Sequence, residues 1–252
     1  ERIMISLGRM YHNLLQDYAR AAYWWQKADV RESGGTGLCV HLAGCYYNLG
    51  NKPMAVELLD EQRVSVVGIK MWADMGELSK AVQMAEQYAP DADSGANEAY
   101  LYVADGFRQA GQPTEALQWY EKVLAIPQPD KPLAHFTRSL EMARGGITAI
   151  ELFDLSDPKK VSDGTYEDQS QGYEAAVRVS VTVKSGRIEQ LRVVQHREKQ
   201  FYSALTDTPA KIIAKQGVQG VDATSNATIT SNAIINATAK ALASGNPGLG
   251  KK

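Results

Sequence analysis

The chain has 252 residues, 44% hydrophobic and 22% charged, which suits folded protein with room for two modest domains and argues against global disorder. With 27 basic and 29 acidic residues it carries a net charge of -2, no footprint for nucleic acid or an anionic membrane. No apolar run reaches the roughly 18 residues that span a bilayer. It opens on Glu1 rather than Met, as a trimmed chain does, which leaves a removed signal peptide or anchor open.

The N-terminal half repeats a helical plan. An opening segment has Leu7, Gly8 and Tyr11 ahead of Ala21, Trp25 and Ala28. Leu42, Ala43 and Tyr46 precede Gly50-Asn51, then Ala55 and Leu59. A short third segment places Trp72 before Gly76 and Ala81. The clearest runs from Tyr100 to Pro127, with Ala104 and Phe107, a turn at Gly111-Gln112-Pro113, then Ala116, Tyr120 and Val123. Small and large apolar residues at helical spacing let two helices pack along one seam. The plan resembles the tetratricopeptide repeat, a unit of about 34 residues. Its small-residue sites match at Gly8, Ala43 and Ala104, and again at Ala21, Ala55, Ala81 and Ala116. It departs in the short third unit, an extra residue in the first turn, and a proline displaced to Pro127.

A further helix is predicted from about Lys131 to Arg144, stopped by Gly145-Gly146. Cys39 and Cys45 are six apart on one predicted helix, about 9 Å along its axis, too far for a disulfide. Both read as small packing residues, and no Cys/His cluster suggests zinc, haem or iron–sulfur. Tyr23, Trp24, Trp25, Trp72 and Trp119 are assigned chiefly to packing, with ligand binding in a groove as the lesser reading.

The period then changes. Val177, Val179, Val181 and Val183 alternate with Arg178, Ser180 and Thr182, the pattern of a half-buried strand. Lys184-Ser185-Gly186-Arg187 is a turn, and Ile188 to His196 returns as a strand with a bulge near Glu189. Thr208-Pro209 opens a short helix ended by Gly217. In residues 221–242, Ile234, Thr238, Ala241 and Leu242 mark a last helix beginning near Thr230 or Ser231, either of which serves as N-cap. Thr228 then stands just before a helix N-terminus, where free N–H groups and the dipole favour an anion.

Residues 163–242 resemble the FMN-binding domain of the flavin subunits of sodium-pumping quinone reductase and Rnf-type ferredoxin oxidoreductase. The matching pieces are DGTY at 163–166, GY at 172–173, VxVxVKSGRI at 179–188, VVQHRE at 193–198, KIIAKQ at 211–216 and VDATSNATITS at 221–231. In that family a flavin transferase uses FAD to join the phosphate of FMN to a threonine. By position Asp222, Ser225, Ala227 and Thr228 match, making Thr228 the acceptor. Asn226 stands where the family has glycine, and Ala175 replaces another glycine. Asn226, Thr230 and Ser231 complete the expected cofactor-binding set, with Thr224 and Thr230 as fallback acceptors out of register.

The expected fold is therefore an all-α tetratricopeptide-like solenoid at 1–144, a linker at 145–161, a small α+β FMN-binding domain at 162–246 and a tail at 247–252. His196, Glu198, Tyr173, Phe201 and Tyr202 are assigned no catalytic role, though the three aromatic residues are candidates to stack on a flavin. The resemblance implies a carrier subunit holding covalent FMN on Thr228, at an extracytoplasmic membrane face. Its partners would be subunits of a redox complex and the flavin transferase. A scaffold with a cofactor-free domain and an enzyme with dissociable FMN remain the alternatives.

Overall fold

A computed structural model of the chain describes residues 1–91, 95–199, 202–221, 223–224 and 227–249. It groups into two compact units, Glu1–Val103 and Ala104–Lys252, divided within helix α8.

The first unit is helical. It comprises α1 (Arg2–Met10), a π-helical turn at Tyr11–Leu15, α2 (Tyr18–Lys27), α3 (Val30–Ser33), α4 (Gly35–Asn48), α5 (Lys52–Asp60), α6 (Val66–Asp74), α7 (Leu78–Tyr88) and the start of α8 (Ala96–Gln109). Neighbouring helices α1 and α2, α4 and α5, and α6 and α7 pack as pairs. The small residues make this possible: Ala21, Ala43, Ala55 and Ala81 are fully buried, and a Cβ on Gly8 would fall 2.2 Å from the Trp25 indole nitrogen. The extra residue expected in the first turn is absorbed by the π-turn, after which Gln16 adopts the left-handed conformation. Elsewhere glycine does this. Gly50 and Gly76 have φ of 83° and 75°, and the following amides of Asn51 and Glu77 bond back to Tyr46 and Trp72 carbonyls at 2.8 and 3.0 Å. That is a Schellman ending, which a Cβ would strain. The same ending recurs in the second unit at Gly111, φ 73°, with Gln112 bonded to Phe107 at 2.9 Å.

The aromatic residues follow the packing reading. Trp25, Trp72 and Trp119 are buried and Tyr23 is half-exposed. Cys39 and Cys45 are buried free thiols, and burial pushes that of Cys45 up to about 12.

The second unit contains the end of α8, then α9 (Pro113–Ala125), α10 (Ala134–Glu151), β1 (Gly164–Gln171), β2 (Ala176–Lys184), β3 (Arg187–Gln195), α11 (Ala204–Lys215) and α12 (Thr228–Ser244). The strands form one antiparallel sheet in the order β1-β2-β3. Val177, Val179, Val181 and Val183 project from one face of β2 into a core completed by Ile188, Leu191, Ile212, Ile234 and Leu242. The register skips Glu189 between Thr182↔Gln190 and Val183↔Ile188, the bulge expected there. The hairpin turn takes positive φ at Ser185 and Gly186, and the Asp163 carboxylate accepts the Ser185 amide at 2.7 Å.

Three expectations need correction. α10 does not stop at Gly145-Gly146 but runs on to Glu151. The two glycines serve close packing instead: a Cβ at Gly146 would lie 2.5 Å from the Tyr120 ring, and one at Gly145 would lie 2.9 Å from Ser170 Oγ. α11 begins at Ala204, with Pro209 inside it, and ends at a left-handed Gln216 ahead of Gly217. The Gln216 side chain bonds the Ile188 amide and carbonyl at 2.8 and 3.1 Å, fastening the helix to β3. Finally, α12 starts at Thr228 rather than at Thr230 or Ser231, because those hydroxyls are engaged elsewhere.

Candidate functional site

The N-terminal end of α12 is assembled from three directions. Thr208 on α11, Thr224 in the approach to α12 and Ser231 on α12 form a buried hydroxyl cluster. Thr208 Oγ1 bonds Thr224 Oγ1 at 3.1 Å and donates to Ser231 Oγ at 3.0 Å, and Ser231 Oγ also accepts the Thr224 amide at 3.0 Å. Lys211 and Lys215 donate to the carbonyls of Ala223 and Gly220 at 3.3 and 2.6 Å, tying the same approach to α11.

On the other side stands Glu198, 6% exposed. One carboxylate oxygen accepts the amides of Tyr173 and Glu174 at 3.1 and 3.3 Å; the other accepts the Thr230 hydroxyl at 2.9 Å. Glu198 therefore clamps the β1–β2 loop to the first turn of α12. Gly172 is required beside it, since a Cβ there would meet the carboxylate at 2.7 Å. In the same loop Tyr173, partly exposed, lies under the Arg138 guanidinium at 4.5 Å. Tyr202 is half-exposed, its ring 6.5 Å from that of His196.

The expected acceptor, Thr228, is the first residue of α12 and is 4% exposed. Ala227 fills the N-cap position, where its methyl group caps nothing. The structure brings Ala227, Thr228, Thr230 and Ser231 together at this helix end. Asp222, Ser225, Asn226 and Phe201 lie outside the described residues. Thr230 and Thr224 are occupied as donor or acceptor in the contacts above.

Seventeen residues of helix aim the positive end of their dipole at this point, which favours an anion there, and the Ala227 side chain makes no capping hydrogen bond. One turn further, the buried Asn232 amide has neither its oxygen nor its nitrogen hydrogen-bonded. On α8, the buried Arg108 leaves Nη2 without a partner while Nη1 donates to Asn236 at 2.5 Å. Sequence reading missed Asn232, Arg108 and the clamp role of Glu198. The available signal was Asn232 and Asn236 standing four apart, and so on one face, of the last helix. Among the described residues no group of three or more His, Cys, Asp or Glu side chains is placed to hold a metal ion, and no helix is long and apolar enough to cross a membrane.

Residues 172–243 match the family model of the FMN-binding domain. A stretch of 111 residues is 38% identical to an uncharacterized protein of Treponema pallidum (strain Nichols), covering 43% of this chain and 31% of that protein. The match thus spans about a third of the relative's length. No solved structure matches the chain. The family match supports a flavin-binding domain of electron-transfer type in the second unit.

Proposed function

We propose that the protein is an electron carrier holding FMN as a phosphoester on Thr228. The observation that carries this reading is the coincidence of the FMN-binding match with a threonine at the first position of a long helix whose N-cap side chain is a methyl group. In the transfer, the threonine oxygen displaces AMP from the FMN phosphorus of FAD, and its proton leaves to solvent. Thr228 opens the positive end of α12, where the helix dipole would favour the charge of the product phosphate. Bound flavin supplies one- or two-electron transfer, and the protein fixes its place and exposure. Glu198 keeps the β1–β2 loop and Tyr173 against that end.

The helices of the first unit resemble tetratricopeptide repeats and would dock the carrier onto a redox complex at an extracytoplasmic membrane face, where covalent attachment prevents loss of FMN. Thr228 is 4% exposed, so the transferase must act before α12 packs or when the first turn of α12 frays. The same burial favours a second reading, a scaffold whose flavin domain carries nothing. Intact mass after co-expression with a flavin transferase separates the two. An increment of FMN less one water, abolished by Thr228→Ala, is expected; an unchanged wild-type mass refutes the covalent carrier.

A further inference from the structure

Thr228, Asn232 and Asn236 follow one another at four-residue steps and so share a face of α12, about 6 Å apart along the axis. Asn232 is 4% exposed and both polar atoms of its amide are unpartnered. Asn236 is held by Arg108 Nη1, and Arg108, 8% exposed, keeps Nη2 buried without a partner. Folded interiors rarely leave such groups unpaired, because each has given up its water for nothing. Here three unpaired polar atoms belong to Asn232 and to the partner of Asn236, and both asparagines share the helix face that carries Thr228. Asn232 itself makes no hydrogen bond that would explain a polar side chain there, and Ala233, Ile234 and Ile235 follow it in the same buried helix.

We propose that these groups are partners for the flavin, so that the last turn of α8 completes the cofactor site. Asn232, donor and acceptor at once, takes the ribityl hydroxyls, which also donate and accept. The Nη2 of Arg108 donates to a carbonyl oxygen of the ring. Arg108 is 128 residues from Asn236 in sequence and lies outside the matched stretch, yet it belongs to the same compact unit. This inference rests on the flavin reading and assigns its next binding residues.

The test compares wild type and Asn232→Leu, each made with and without a co-expressed flavin transferase, loading being checked by intact mass. Melting is followed by circular dichroism. Unloaded Asn232→Leu should melt higher than unloaded wild type, since a buried unpaired amide is gone. Loading should raise the melting temperature of wild type and raise that of Asn232→Leu less. A merely structural Asn232 predicts the opposite for the unloaded pair. Should the leucine not fold, Asn232→Ala and Arg108→Lys, the latter keeping the charge without Nη2, must show the same diminished rise on loading. Loaded variants should also show flavin fluorescence more readily quenched by iodide. An equal rise in all proteins, as expected if buried water pairs these atoms, overturns the inference while leaving the carrier intact. No mass increment and no flavin colour in wild type overturns both.

Discussion

Replacing Glu198 separates a clamp from a bystander. Its carboxylate accepts three hydrogen bonds, two from backbone amides and one from Thr230, in a buried setting. In Glu198→Gln the carbonyl can still face the amides of Tyr173 and Glu174, and the Thr230 hydroxyl can rotate to accept from the new NH2. What is lost is charge assistance, about 1 kcal/mol for each bond, partly offset because no charge is buried. The net cost is about 1–2 kcal/mol. Glu198→Ala strands the same donors and opens a cavity, for about 3–5 kcal/mol. Urea unfolding of unmodified protein, followed by far-UV circular dichroism, gives both values. Equal costs for the two variants, or an alanine cost below about 1 kcal/mol, would refute the clamp.

Other substitutions test the packing. Gly146→Ala should destabilise by about 1–2 kcal/mol in thermal unfolding, because overpacking against the buried Tyr120 ring outweighs the gain in helix propensity. Gly37→Ala, with no atom within 4 Å of the added Cβ, should instead stabilise α4 by about 0.5–1 kcal/mol. Burial holds His12 below the usual histidine pKa, so the unfolded chain takes up a proton first as the pH falls. The first unit should therefore lose stability as the pH drops below about 6.5, and His12→Gln should flatten that part of the melting profile. The buried thiols of Cys39 and Cys45, both shifted upward by burial, should resist a disulfide reagent at neutral pH until the chain is unfolded; fast labelling of the native protein would contradict their placement.

The helical turns and the β2–β3 hairpin were legible because their signals are local. Gly50, Gly76 and Gly111 each end a helix, and four alternating valines mark β2. β1 was recognised only as a motif, since Glu167, Asp168 and Gln169 give its strand no apolar alternation; pairing with β2 decides its conformation. Gly145-Gly146 and Pro209 look like helix boundaries in sequence, but a glycine demanded by a neighbour's ring resembles one that ends a helix. At the site, the position of Thr228 beside a helix end followed from local pattern. The roles of Arg108 and Glu198 did not, because their partners lie far along the chain.

α12 is buried along almost its whole length, yet it follows the other helices and strands of the second unit in chain order. Until it emerges from the ribosome, the valine face of β2 has no lid, and the Ser162 amide and the Leu155 carbonyl lack Gly245 and Asn246 as their partners. The second unit must therefore fold in one late event rather than strand by strand. Premature termination anywhere before residue 228 should leave exposed β-structure prone to aggregation and proteolysis.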